Sequence, residues 1–180
     1  MASNVTNTTA SPLIAKWTGF SATELVLTLI SIVGNGLTLV TFMRNAFLWT
    51  AFNVYIVNLL LANFLMAICL NLVETVNNLY SRWPLSFNAC TFLNYGRFCI
   101  GGVMYWSHAL ITLDRLWSVL LPVHYRTYRS VKTSVVLCGG MWVYVHVILL
   151  PGVIQESIFY RLPLETNQCF FNSGMFDAIL

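Results

Sequence analysis

Four long stretches of the chain are apolar and carry no charged residue. They cover residues 25–43, 45–73, 98–113 and 133–155. A helix needs about 20 apolar residues to cross the hydrocarbon core of a bilayer, and these stretches lack the alternation of barrel strands. The pattern therefore predicts an all-α membrane protein with transmembrane helices at about 24–43, 52–73, 93–118 and 134–155. The third helix reaches full length only if Arg97 lies inside the membrane.

The composition excludes a soluble domain. Hydrophobic residues make up 58% of the chain and charged residues only 8%, whereas soluble proteins are roughly 25% charged. Nine basic and six acidic residues cannot cover a water-facing surface. The same numbers exclude intrinsic disorder, and a net charge of +3 provides no basic stripe for nucleic acid.

Glycosylation motifs and the distribution of charge both predict that the N-terminus lies outside the cell. Asn4 and Asn7 each begin an Asn-x-Thr acceptor sequence, so we expect residues 1–23 to form a glycosylated extracellular tail. With this orientation the basic residues of the inner loops outnumber those of the outer segments, in agreement with the positive-inside rule. The inner basic residues are Arg44, Arg115, Arg126, Arg129 and Lys132, and the outer ones are Lys16, Arg82 and Arg161.

The predicted helices leave two inner and two outer loops. We expect the inner loops at 44–51 and 117–132 and the outer loops at 74–88 and 156–172. From Phe171 to Leu180 the sequence becomes apolar again, which we interpret as the possible start of a fifth span.

Several sparse residues lie at spacings that composition does not require. The string Asp114-Arg115-Leu116 leads to Val119, Pro122 and Tyr125, in the pattern D-R-L-x-x-V-x-x-P-x-x-Y. Other such residues are Gly34-Asn35, Asn58, Trp83-Pro84, Cys90, Trp142, Pro151 and Cys169. Taken together over four spans, the chain resembles the rhodopsin-like (class A) G-protein-coupled receptors. The resemblance implies that residues 24–180 are part of a seven-helix receptor domain, covering spans one to four and the second extracellular loop.

The resemblance also implies roles for residues at the two ends of the bundle. It implies a disulfide between Cys90 and Cys169, at the outer end. At the inner end it implies a G-protein contact surface made by Asp114, Arg115, Val119, Pro122 and Tyr125. Two alternatives stay open there: Arg115 could be a simple positive-inside anchor, and the basic run after Tyr125 could bind anionic lipid.

Arg97 lies where amine receptors of this family place an aspartate that binds the ligand's ammonium group. Because charges inside a membrane are costly, they mark candidate functional sites. We therefore expect that Arg97, with Asn94 and Gly101 on the same helical face, contacts an anionic group of an extracellular ligand, and that amines are disfavoured. The alternative is that Arg97 extends to the interface or pairs with Glu74 or Glu165.

Polar residues within the apolar helices predict hydrogen bonds between helices. By resemblance, Asn58 and Trp142 join spans two, three and four, and Asn35 meets Asn63. The family's usual aspartate is replaced by Asn63, and a polar residue of the third span by Met104, so we expect no sodium site. No His, Cys or carboxylate spacing suggests a metal or a cofactor, and no catalytic motif suggests an enzyme.

Two functions remain from these considerations. The first is a plasma-membrane receptor that binds an extracellular ligand and signals to a heterotrimeric G protein, present here as an incomplete chain. The second is a truncated receptor that does not signal and instead pairs with full-length receptors, as in a receptor dimer. Membrane lipid is an expected partner in both cases, and nucleic acid in neither.

Overall fold

The computed structural model describes residues 13–171, and all their regular structure is helical. Helix α1 spans Gly19–Arg44 and is followed by a 3₁₀ turn at Ala46–Leu48. Helix α2 spans Ala51–Leu79 and contains a π-helical segment at Met66–Asn71. Helices α3 and α4 span Phe87–Leu120 and Pro122–Tyr128. Helix α5 spans Val131–Tyr160 and ends in a π-helical segment at Glu156–Tyr160.

A hydroxyl side chain begins each of the four long helices. The N-cap residues of α1, α2, α3 and α5 are Thr18, Thr50, Ser86 and Ser130. Each accepts a hydrogen bond from the backbone N–H three residues later, which satisfies one of the four free donors at a helix start. Every long helix begins before its predicted first residue, and the caps of α1, α3 and α5 lie outside the apolar stretches.

The helices also extend past the predicted start of each loop, by one residue at Arg44 and by more at the other three. Glu74 lies within α2, Trp117 within α3 and Glu156 within the last segment of α5, so the assignment of these residues to loops is wrong. Charge-free stretches mark the hydrocarbon core, whereas helices continue into the polar interface. The first outer loop is therefore only about residues 80–86.

Helix α2 contacts α1, α3 and α5, and α3 also contacts α5. One core cluster combines side chains of α2, α3 and α5 and consists of Ala62, Cys99, Val103, Met141 and Val145. Helices α1, α2 and α5 are long and apolar enough to cross a membrane. Helix α3 has 34 residues and is long enough, but its polar residues lower its apolarity. The all-helical structure with long apolar helices agrees with the prediction of an all-α, partial seven-helix bundle, which is confirmed.

Helices α2 and α3 approach each other closely at the π-helical segment. Leu70 from this segment is only 2% exposed and lies against Gly96 of α3. A Cβ atom at Gly96 would stand 2.6 Å from Leu70 Cδ2, well inside the 3.5–4.0 Å of favourable carbon contact. The extra residue of a π-bulge changes the direction of the side chains that follow it. The missing side chain of Gly96 leaves space for Leu70 in this arrangement.

Candidate functional site

A disulfide joins the loop after α5 to the first turn of α3. Cys90 and Cys169 are bonded, with a Cα–Cα distance of 5.6 Å, and both are fully buried. The pairing implied by the resemblance is therefore confirmed. The bond links residues 79 apart in sequence and fixes the loop across the outer end of the bundle, called here the disulfide end.

Asn77 of α2 holds the same loop by hydrogen bonds. The backbone N–H of Cys169 donates to Asn77 Oδ1, and Asn77 Nδ2 donates to the Cys169 carbonyl, each at 3.1 Å. Gln168 Nε2 also donates to the Asn77 carbonyl at 3.0 Å. Sequence reasoning missed Asn77 because it was assigned to a loop. The sequence feature that could have identified Asn77 is a side-chain amide in the last turn of a long apolar helix.

Arg97 forms an ion pair with Glu74, between α3 and α2. This is one of the alternatives left open by the sequence. The pair is partly exposed, with 35% of the Arg97 side chain and 20% of the Glu74 side chain accessible. Glu24 of α1 lies in the same region and accepts a hydrogen bond from Asn78 Nδ2 at 2.9 Å. These three ionisable groups carry one positive and two negative charges.

The structure does not open all three predicted ligand-contacting residues to one cleft. Asn94 is fully buried, and its Nδ2 atom has no hydrogen-bond partner among the described residues. Gly101 is partly buried, and a Cβ atom there would meet Met66 Cε at 3.9 Å. Arg97 and Gly101 are both partly exposed, whereas Asn94 is not.

A second ion pair, which the sequence did not suggest, joins Glu156 and Arg161 at the end of α5, and Arg161 connects it to α3 through Thr91. Arg161 Nε donates to Glu156 Oε1 at 2.8 Å, and Arg161 NH1 donates to Thr91 Oγ1 at 3.1 Å. The Glu156 side chain is fully buried and that of Arg161 is 5% exposed. The Arg161 guanidinium also lies 5.0 Å from the ring of Phe87. A buried ion pair persists when its remaining polar atoms are bonded as well, and Thr91 supplies that bond.

At the opposite end of the bundle, Asp114 and Arg115 point to different partners. The Tyr125 hydroxyl donates to Asp114 Oδ2 at 2.9 Å, and Asp114 is buried. Arg115 stacks its guanidinium 3.4 Å from the ring centre of Phe52. Among the described residues Arg115 makes no ion pair, so this guanidinium is exposed without a carboxylate.

Burial and the bond to Asp114 both affect Tyr125. Burial raises the pKa of the Tyr125 hydroxyl, and the neighbouring Asp114 carboxylate raises it further. The hydroxyl therefore remains a donor throughout the physiological pH range. Val119 is exposed at the end of α3, and Pro122 occupies the first turn of α4, where its missing N–H leaves no bond unmade.

Asn58 connects three helices through its side-chain amide. Asn58 Nδ2 donates to Ser107 Oγ of α3 at 2.8 Å, and Trp142 Nε1 of α5 donates to Asn58 Oδ1 at 2.8 Å. Sequence reasoning named Asn58 and Trp142 but not Ser107, whose small hydroxyl lies among apolar residues.

The predicted contact between Asn35 and Asn63 is not formed among the described residues. Asn35 Nδ2 donates instead to the Ser31 carbonyl at 2.8 Å, within its own helix. A bond to the carbonyl four residues earlier satisfies an amide locally, so Asn35 has no need of a partner across the helices. Asn63 is half-buried on the neighbouring helix.

Two further features considered in the sequence are metal ligation and glycosylation. Within residues 13–171 no three His, Cys, Asp or Glu side chains are arranged to hold a metal ion. The glycosylation motifs at Asn4 and Asn7 lie outside the described residues.

Comparison with known proteins places this arrangement in context. The family model described as 7 transmembrane receptor (rhodopsin family) matches residues 34–177. The chain is similar to muscarinic acetylcholine receptor M5 of Macaca mulatta, at 29% identity over 156 residues, which make up 85% of this chain and 29% of that protein. It is also similar to muscarinic acetylcholine receptor M3 of Rattus norvegicus, at 27% identity over 158 residues, or 87% of this chain and 26% of that protein. The chain thus spans less than a third of the length of these relatives.

Proposed function

We propose that this chain, which belongs to the rhodopsin family of seven-transmembrane receptors, provides part of a plasma-membrane receptor that binds an extracellular ligand and signals to a heterotrimeric G protein. It is a multi-pass membrane protein of a receptor class that is not enzymatic. Binding at the disulfide end would shift the bundle between two states whose opposite end recruits the G protein.

The exposed guanidinium of Arg115 is the observation that supports coupling most directly. Its neighbouring carboxylate, Asp114, is bonded to Tyr125, so Arg115 has no acid to leave before it meets a partner protein. Its contact with the Phe52 ring is a weaker restraint, contributing about 0.5–1 kcal/mol at an exposed site. Arg115 can therefore move to a G protein at low cost.

Nucleotide exchange on the G protein tests this role. In membranes of cells that express the receptor, we expect Arg115→Ala to abolish the receptor-dependent uptake of a labelled GTP analogue. Arg44→Ala is the matched control, because Arg44 is also a basic residue at this end of the bundle, in the last turn of α1. Uptake that stays unchanged in Arg115→Ala would contradict the proposal.

For the ligand, we propose that a carboxylate or similar anionic group binds Arg97 in exchange for Glu74. The pair is partly exposed and joins two helices, so an anion could replace the Glu74 carboxylate without burying an unpaired charge. The relatives named above are acetylcholine receptors, and acetylcholine is a cation. A cation would have to bind Glu74 or Glu24 instead, while Arg97 repels it.

Two substitutions separate the ligand classes in a binding assay with labelled carboxylates and labelled quaternary amines. An anionic ligand should lose affinity in Arg97→Ala and keep or gain it in Glu74→Gln, which removes a competing carboxylate. A cationic ligand should show the opposite order. Affinity for a bound acid that does not change in Arg97→Ala would refute the role of Arg97.

A further inference from the structure

Three charged side chains from three different helices lie together at the disulfide end. Arg97 of α3 pairs with Glu74 of α2. The Glu24 carboxylate of α1 is close enough to attract the Arg97 guanidinium as well, but it forms no ion pair of its own among the described residues. These three residues are called here the charge cluster. One guanidinium is shared by two carboxylates, so the cluster carries more negative than positive charge.

Asn78 holds the Glu24 carboxylate about one helical turn from Glu74. Asn78 Nδ2 donates to Glu24 Oε2 at 2.9 Å. Glu74 and Asn78 are four residues apart in the α-helical segment Leu72–Leu79, so they lie on the same face of α2, with Cβ atoms roughly 5–6 Å apart. One ammonium group can reach two carboxylates at about this separation, because each of its hydrogen bonds spans about 2.8 Å.

A carboxylate bound at Arg97 would by itself leave the charge cluster short of positive charge. The incoming carboxylate replaces Glu74, so three negative groups would then surround one guanidinium. The side chains of Arg97 and Glu74 are only partly exposed, so water screens this repulsion incompletely. An ammonium group on the same ligand would pair with the Glu74 carboxylate when Arg97 leaves it, and the charge of the cluster would stay as it is in the free protein.

We propose that the ligand of this site is a zwitterion, a small molecule that carries both a carboxylate and an ammonium group. The carboxylate binds Arg97, and the ammonium binds between Glu74 and Glu24. One ion pair within the protein is exchanged for two ion pairs with the ligand. This inference rests on the proposed binding of a carboxylate at Arg97 and specifies the chemical class of the ligand.

Thermal unfolding of the whole purified chain in detergent tests the proposal, because a ligand that binds the folded bundle raises the midpoint temperature. The concentration dependence of this rise gives a dissociation constant. The probes are straight-chain amino acids from glycine to aminohexanoate, each compared with the alkanoate and the alkylamine of the same chain length. All the residues of the charge cluster belong to this chain, so the result does not depend on G-protein coupling.

We expect affinity for the amino acids to be greatest at one chain length, because charged groups at fixed positions match one separation. At that length the amino acid should bind about tenfold more tightly than either compound with a single charge, a difference of about 1.4 kcal/mol.

The substitution Glu24→Gln separates the two groups of the ligand. Glutamine keeps a side-chain oxygen that can accept the bond from Asn78 Nδ2, so the local structure is retained. The best amino acid should lose about tenfold in affinity, whereas the matching alkanoate should bind as well or better, since a repelling charge has been removed. Glu165→Gln is the matched control, because Glu165 is an exposed acid of the outer loop, and it should change neither affinity.

The outcomes distinguish this inference from the proposed function. If an alkanoate binds and loses affinity in Arg97→Ala, but no amino acid binds more tightly than the matching alkanoate, the zwitterion is refuted and the anionic ligand stands. Equal effects of Glu24→Gln and Glu165→Gln on the best amino acid would also overturn the inference. If no probe raises the midpoint temperature, or if Arg97→Ala changes none of the affinities, both the zwitterion and the role of Arg97 are refuted.

Discussion

Replacing Gly96 by alanine introduces a methyl group where α3 packs closely against Leu70 of α2. The new Cβ would stand 2.6 Å from Leu70 Cδ2 and 3.1 Å from Leu70 Cδ1. Leu70 cannot easily move away, because it is 2% exposed and packs in a cluster with Trp83, Leu93 and the disulfide. Overpacking of this kind costs about 1–3 kcal/mol, whereas alanine gains about 1 kcal/mol over glycine within a helix. We therefore expect a net loss of up to about 2 kcal/mol.

Thermal unfolding in detergent micelles measures this loss. The buried free thiols of Cys99 and Cys138 become accessible to a thiol-reactive dye when the bundle opens, which gives a midpoint temperature for each variant. Gly101→Ala is the matched control in the same helix, since its new Cβ would only meet Met66 Cε at 3.9 Å. It should be neutral or slightly stabilising.

A second substitution tests the cause of the loss. Leu70→Ala alone should cost about 2–5 kcal/mol, because it leaves a cavity. In the double variant with Gly96→Ala the new methyl group occupies part of that space, so the combined loss should be smaller than the sum of the single losses. If Gly96→Ala is as stable as Gly101→Ala, or if the two losses add, the close approach does not govern the packing of these helices.

Two further predictions concern hydrogen bonds, one between α2 and α5 and one between α3 and α4. Trp142→Phe removes the hydrogen bond to Asn58 and should cost about 0.6–1.7 kcal/mol of stability in the same unfolding assay. The control Trp106→Phe changes a partly exposed indole and should cost less. Equal losses in the two variants would refute the importance of the bond. Tyr125→Phe removes a hydrogen-bond donor to the buried Asp114 carboxylate. Hydrogen exchange at the backbone amides of α4 should therefore become faster at neutral pH. An unchanged exchange rate would show that this bond does not hold α4 in place.

The sequence was sufficient for the number, order and approximate position of the long helices because hydrocarbon excludes charge. It placed their ends less well, since the caps at Thr18 and Ser86 and the continuation through Glu74 and Glu156 lie in the interface, where polar residues are allowed. The signal for the starts was available as a threonine or serine immediately before each long helix, at Thr18, Thr50, Ser86 and Ser130.

Side-chain partners were harder to predict than helices. For Arg97 the sequence offered two carboxylates, Glu74 and Glu165, and the packing of α2 on α3 selects Glu74. For Asn35 the resemblance suggested a partner across the helices, but a carbonyl one turn away in the same helix is a nearer acceptor. Asn77 and Ser107 were missed because a single polar residue in an apolar helix looks the same in the sequence whether it is buried or faces outward.

The paired hydrogen bonds between Asn77 and Cys169 have a consequence for oxidation of the receptor. They hold the backbone of Cys169 in place without the help of the sulfur atoms. A chain whose disulfide has been reduced should therefore keep the Cys169 thiol near that of Cys90, at a high effective concentration. We therefore expect Asn77 to favour Cys90 over Cys69 and Cys99 as the partner thiol when the disulfide forms again.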